Sequence, residues 1–152
     1  ATYEPLYGTW GDQKYLDAIP HLFSNIKINE DPGVNSAPWN LVMKNRHSVL
    51  TNGDKVTIDG QDLIVYHFGS LLIINEDSYD LWKLEQLAFE PSIISNIYEP
   101  YIYQLKQTIK MVKKQVNSNS LSPFFSTVPT DYKAKNPLQT TLNNKKRLHH
   151  HE

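Results

Sequence analysis

The apolar positions of this chain follow two periods, one of a helix and one of a strand, and the switches between them mark its elements. In "GDQKYLDAIPHLF" (11–23), Tyr15, Leu16, Ile19 and Phe23 recur at helical spacing behind Asp12, a residue suited to a helix N-cap. The spacing predicts a short amphipathic helix ending near Pro20. "NIKI" (25–28) is too short to be more than one small strand, and "NEDPGVNSAPWN" (29–40) is a loop by its Pro, Gly and Asn content. Three strand-like runs follow, "HSVLT" (47–51), "DKVTI" (54–58) and "QDLIVYHF" (61–68), separated by Asn52-Gly53 and Asp59-Gly60. Both dipeptides fit the centre of a type I′ turn, which needs positive φ at two successive residues. Residues 47–68 therefore predict an antiparallel meander.

Beyond it, "SYDLWKLEQLAF" (78–89) reads as a helix with Leu81, Leu84 and Leu87 on its inner face. Pro91 suits the first turn of another helix, in which Ile94, Ile97, Tyr98, Tyr101, Leu105, Ile109 and Val112 form an apolar stripe with lysines opposite. Pro100 is expected to bend or interrupt it, because proline lacks the amide donor and crowds the preceding turn. From Asn117 the chain turns to Ser, Asn, Thr, Pro and Lys with little periodicity, the composition of a mobile tail. There is no internal repeat.

Composition narrows the class. A chain of 152 residues, 39% apolar and 20% charged, supports one domain plus a tail. Fifteen basic side chains nearly balance 16 acidic ones, so no net field points to nucleic acid or an anionic membrane as the main partner, and a neutral or small-molecule ligand is expected. Without cysteine, disulfides and thiolate metal sites are excluded, and a reducing compartment is permitted. The longest aliphatic run, Leu71 to Ile74, is too short for a transmembrane segment, and no basic segment followed by an apolar one stands near Ala1. The expected location is cytoplasmic, or peripheral at the inner face of the membrane. The opening "ATYEPLYGTWGDQ" reads as a fragment or a processed chain, and His149, His150 and His151 as a solvated or tag-derived end.

Chemistry is sparse. No Gly-rich phosphate loop, His-Glu-x-x-His motif or Gly-x-Ser-x-Gly elbow is present. Polar residues do stand where bland ones would serve: Asp12 and Gln13 at a helix start, Asn35, Trp39 and Asn40 in the loop, and His67 inside the apolar run "VYHFGS". Each has a structural reading. Asp12 caps a helix, Asn35 and Asn40 make turns, Trp39 fills core, and His67 is a core histidine bonded to backbone.

Taken together, "GDQKYLD" (Gly11–Asp17), "NSAPWN" (Asn35–Asn40), the two turns and "LIVYHF" (Leu63–Phe68) resemble, in that order, the C-terminal half of bacterial nucleotide-sugar glycosyltransferases of the GT-A fold, relatives of the glycogenin-like retaining enzymes. The resemblance spans about residues 8–82. It implies an α/β fold: the C-terminal part of a GT-A-like nucleotide-diphospho-sugar transferase, with an antiparallel β meander and C-terminal helices over residues 1–116 and a polar tail over 117–152. It further implies that His67 ligates Mn²⁺ or Mg²⁺ on the diphosphate, that Asp12 and Gln13 meet the donor sugar as catalytic groups, and that Asn35, Trp39, Asn40 and Tyr66 bind substrate. The partners implied are a nucleotide-sugar donor, a glycan or lipid-linked acceptor in cell-surface polysaccharide synthesis, and the N-terminal half of the same enzyme.

Two departures qualify the pattern. Such enzymes carry an Asp-x-Asp metal motif in their Rossmann-like N-terminal half, and these 152 residues contain none, so the chain alone is expected to be catalytically silent. They also tend to have glycine two residues after the phenylalanine of His-Phe-x-Gly, whereas Gly69 follows Phe68 directly here. A core cut in half would leave apolar surface uncovered and favour self-association. The rival readings are a non-catalytic module binding glycan or protein through Trp39 and the tyrosines, and a degenerate transferase serving as a scaffold.

Overall fold

The computed structural model describes residues 14–44, 47–116 and 125–139. It divides into two compact units, residues 1–30 and residues 31–152. In the first, α1 (Lys14–Leu22) is the amphipathic helix that the spacing predicts, although it runs past Pro20. A proline so placed removes the amide bond to the carbonyl four residues back, and the helix continues for two further residues. Asp12 and Gln13 lie outside the described residues. Leu16, Leu22, Phe23, Ile26 and Ile28 are all exposed, and 25–28 forms no strand.

The second unit holds two three-stranded antiparallel sheets and a long C-terminal helix. β1 (Val49–Asn52), β2 (Lys55–Ile58) and β3 (Gln61–Asp62) form the meander in the order β1-β2-β3. Val49 stands opposite Ile58, and both are buried, so the register brings the two apolar ends together on the core. The second turn is as predicted, with positive φ at both Asp59 (52°) and Gly60 (84°). The first differs. Asn52 pairs with Lys55, so the loop is Gly53-Asp54, and only Gly53 has positive φ, the type II′ pattern rather than I′.

The run 61–68 is not one strand. Leu63 still donates to the Val56 carbonyl (2.8 Å), but Ile64 and Val65 both donate to the Gly33 carbonyl (2.8 and 3.2 Å), so the chain leaves β2 for the loop before the meander.

β4 (Leu72–Ile73), β5 (Ser78–Asp80) and β6 (Pro137–Gln139) make the second sheet, in the order β4-β5-β6. It corrects two expectations. Residues 78–89 are not a helix: Tyr79, Asp80, Leu81 and Trp82 are buried in succession, a pattern no one-sided helix allows, and the chain beyond β5 is irregular. Nor is 125–139 a mobile tail. β6 pairs with β5, and Tyr132, Lys135 and Asn136 converge on the Asp80 carboxylate.

The C-terminal helix starts at Pro91, as the sequence predicts, and comprises α2 (Pro91–Ile93), a π-helical turn (Ile94–Tyr98) and α3 (Glu99–Gln115). Pro100 neither breaks nor ends it. The widened turn lies directly before the proline, where a regular α-turn would press the pyrrolidine ring on the carbonyl four residues back. Ile97, Tyr98 and Ile109 of the expected stripe are buried, together with Ile102, while Tyr101 is exposed. The core gathers Ile93, Ile97, Tyr98 and Ile102 of this helix with Val49, Ile58, Tyr79 and Leu81 from the sheet regions and Leu41 from the loop region. The fold is thus mixed α/β, with antiparallel sheets and a C-terminal helix.

Candidate functional site

The loop that carries Asn35, Trp39 and Asn40 meets the segment that carries Tyr66 and His67 through a parallel bridge between Ser36 and Tyr66. The Ser36 amide donates to the Val65 carbonyl (3.0 Å), and the His67 amide donates to the Ser36 carbonyl (2.7 Å). Local sequence makes this approach feasible. A Cβ on Gly33 would stand 1.9 Å from the Asp62 carbonyl oxygen, so only glycine lets the two backbones come this close. Asp31 accepts from the Gly33 amide (2.8 Å), and the Ser36 hydroxyl donates to the Pro32 carbonyl, which fixes the loop from within. Asn35, at φ 60°, supplies the left-handed step into the bridge.

Past the bridge, Ala37 and Pro38 are fully buried and a π-helical turn (Trp39–Lys44) begins. Trp39 leaves the core half-buried, and three neighbours hold its ring. The His67 imidazole meets it edge to face, with centroids 5.3 Å apart and planes at 85°. Trp82 lies on it at 5.6 Å and 58°. The backbone of Gly69 closes the third side, so tightly that a Cβ there would be 2.6 Å from Trp39 Cζ3.

The question of an imidazole in an apolar run resolves by alternation. Successive side chains of an extended segment point to opposite faces. Tyr66 and Phe68 turn inward, where Phe68 stacks on Tyr101 (3.9 Å, 18°) and the Tyr66 hydroxyl donates to the Tyr98 hydroxyl (3.2 Å). Burial, reinforced by the Tyr98 hydroxyl, pushes the Tyr66 phenol far above its ordinary value, and burial pushes that of Tyr98 up to about 12. His67 turns outward and is exposed, so it is not a core histidine.

Of the residues singled out in the sequence, the structure therefore brings together Trp39 and His67, with Asn40 half-buried next to Trp39 and Asn35 exposed at the bridge. Tyr66 is committed to the aromatic core, and its hydroxyl is engaged there. Trp82 and Gly69 were not foreseen as part of the cluster. The helical spacing around Trp82 hides its burial, and Gly69 stands out in the sequence only by its displacement from the His-Phe-x-Gly pattern.

One imidazole nitrogen is what this cluster offers a metal. Among the described residues, no group of three or more His, Asp or Glu side chains is placed to hold one, so further ligands would have to come from outside them.

Comparison with known proteins gives two relatives, both uncharacterized proteins of Bacillus subtilis strain 168. The chain is 31% identical to YfnD over 105 residues, covering 69% of this chain and 32% of YfnD. It is 36% identical to YfnF over 109 residues, covering 69% of this chain and 35% of YfnF. The chain thus spans about a third of the length of the curated relatives it matches. No protein-family model matches it, and no solved structure does. No described helix is long and apolar enough to cross a membrane.

Proposed function

We propose that this chain is the C-terminal part of a metal-dependent glycosyltransferase that moves a sugar from a nucleotide-diphosphate donor to a glycan or lipid-linked acceptor. The observation that carries the reading is the Ser36–Tyr66 bridge. It joins the Asn-Ser-Ala-Pro-Trp-Asn loop to the Tyr-His-Phe segment, the two motifs whose combination suggested the class, and sets His67 on solvent against Trp39. A site shared with another part of the protein agrees with a chain that spans about a third of its relatives.

In this reading His67 contributes one nitrogen to Mn²⁺ or Mg²⁺, and the bound metal would neutralise charge developing on the leaving diphosphate. Trp39 fixes the imidazole's direction and screens one side of it from water. Asn35 and Asn40 present amide groups that can exchange hydrogen bonds with sugar hydroxyls, and the resemblance assigns Asp12 and Gln13 to the donor sugar. A carboxamide oxygen beside an anomeric carbon stabilises oxocarbenium character without a permanent charge.

Calorimetric titration with Mn²⁺ and UDP-sugar tests the reading, on this chain and on the protein extended upstream. The extended protein should bind, and His67→Ala should weaken metal-dependent binding by about tenfold or more, the effect of losing one metal-site group. Nucleotide binding by neither protein would sink the proposal and favour a glycan- or protein-binding module. Full affinity in His67→Ala would remove His67 from the site.

A further inference from the structure

Trp82 is 5% exposed, and its indole Nε1 is the one buried side-chain nitrogen or oxygen among the described residues that lacks a hydrogen-bond partner. Buried indole N–H groups usually find an acceptor. The position of Trp82 must therefore be set by something other than its own polar atom.

Its backbone supplies the answer. The Trp82 amide donates to Asp80 Oδ1 (3.2 Å), and its carbonyl accepts from Asn136 Nδ2 (2.7 Å). Asn136 Nδ2 also donates to the Glu85 carbonyl (2.8 Å), and Asn136 Oδ1 accepts from the Leu87 amide (2.8 Å). Asp80, fully buried, is gripped in turn by the Tyr132 hydroxyl (2.6 Å), the Lys135 amide (2.9 Å) and the Asn136 amide (3.0 Å). Residues 132–136 thus clamp the irregular stretch after β5 on both sides of Trp82.

From Trp82 the contact passes to Trp39, and from Trp39 to His67. We infer that Trp82 is a positioning residue: clamped by Asp80 and Asn136, it holds the Trp39 ring against Gly69 and thereby fixes the orientation of the outward His67 imidazole. The assignment rests on the reading of His67 as a ligand at the donor site. Edge-to-face ring contacts are directional, so an imidazole against a fixed ring is confined and one against a free ring is not. With the indole nitrogen unpartnered, Trp82 acts through the breadth of its ring and not through a hydrogen bond.

The test is the ring-proton spectrum of His67 by NMR on this chain, assigned by comparison with His67→Gln. In the wild type the Trp39 ring current displaces the His67 signals from those of a free histidine. Trp82→Leu should return them most of the way, and Asn136→Asp, which sets a carboxylate against two carbonyls at nearly constant volume, should shift them in the same direction. Trp82→Phe, a smaller ring and a milder change to the core, should give a partial return. Wild-type His67 signals in a folded Trp82→Leu protein would overturn the inference, and if that variant does not fold, wild-type signals in Trp82→Phe would do so. Addition of Mn²⁺ to the protein extended upstream separates the two readings: loss of the donor-site reading appears as unbroadened His67 signals there, while failure of the positioning chain appears in the variants without metal.

Discussion

Gly69 and Ser70 are neighbours with opposite expectations. Gly69 has no unusual φ but lies against the Trp39 ring, so a methyl there must displace the ring. Gly69→Ala should destabilise the protein by about 1–3 kcal/mol, the range of overpacking in a tight core. Ser70 is half-buried and has φ 58°, the left-handed region that favours glycine. It also stands two residues after Phe68, where the glycine of the His-Phe-x-Gly pattern would fall. Ser70→Gly relieves about 1–2 kcal/mol of left-handed strain. It returns about 0.4–1 kcal/mol through the looser unfolded chain. A net gain of up to about 1.5 kcal/mol is expected in urea unfolding, and a loss would show that the serine side chain matters more than its backbone.

At the scale of elements, the two sheets differ in what holds them. The meander is held by local turns and by the Val49–Ile58 register, whereas β6 is held to β5 by a buried carboxylate as well as by strand pairing. Burial alone would push the Asp80 carboxyl up, but hydrogen bonds from the Tyr132 hydroxyl and from the Lys135, Asn136 and Trp82 amides outweigh it and hold the group below its ordinary value of 3.8. A depressed value means that the folded state favours the carboxylate. Its contribution is fully present above 3.8 and is lost as pH falls through the lower folded-state value. Tyr132→Phe should therefore cost about 1.5–3 kcal/mol at neutral pH, as for a hydrogen bond to a charged group. The gap to wild type should narrow in acid below 3.8, and denaturant unfolding at the two pH values would expose a constant gap if Asp80 were not responsible.

The same contrast explains what was legible in the sequence. The meander and the start of the helix at Pro91 could be read because each is dictated by neighbours: glycines at positive φ, a register that buries Val49 and Ile58, and a proline at a first turn. The stretch 78–89 could not, because its leucine spacing imitates a helix while its conformation is decided by Tyr132, Lys135 and Asn136, about fifty residues further on. Of the site, His67 and Trp39 were legible as misplaced residue types. Trp82 was not, since its partner Trp39 is distant in sequence and its own hydrogen bonds are backbone ones.

For the molecule as a whole, exposed apolar surface stands out. Leu16, Leu22, Phe23, Ile26 and Ile28 in the first unit and Leu50, Ile64 and Val65 in the second are all exposed. Surface of this kind favours association when nothing covers it. The isolated chain should therefore self-associate with rising concentration, seen as a drift to higher mass in sedimentation or light scattering. Leu22→Lys with Phe23→Glu should reduce it, and a monomer at every concentration would contradict the expectation.

The bridge at Ser36 and Tyr66 carries a consequence for insertions and deletions. An added residue at the tip of Gly53-Asp54 lengthens a solvent loop and leaves everything behind it in place. One residue added or removed between Asp62 and Tyr66 changes the parity of the segment, sending His67 into the ring cluster of Tyr98 and turning Tyr66 and Phe68 to water. A lineage that keeps this arrangement can vary the hairpin tip freely, but it must hold the spacing of those few residues to even steps.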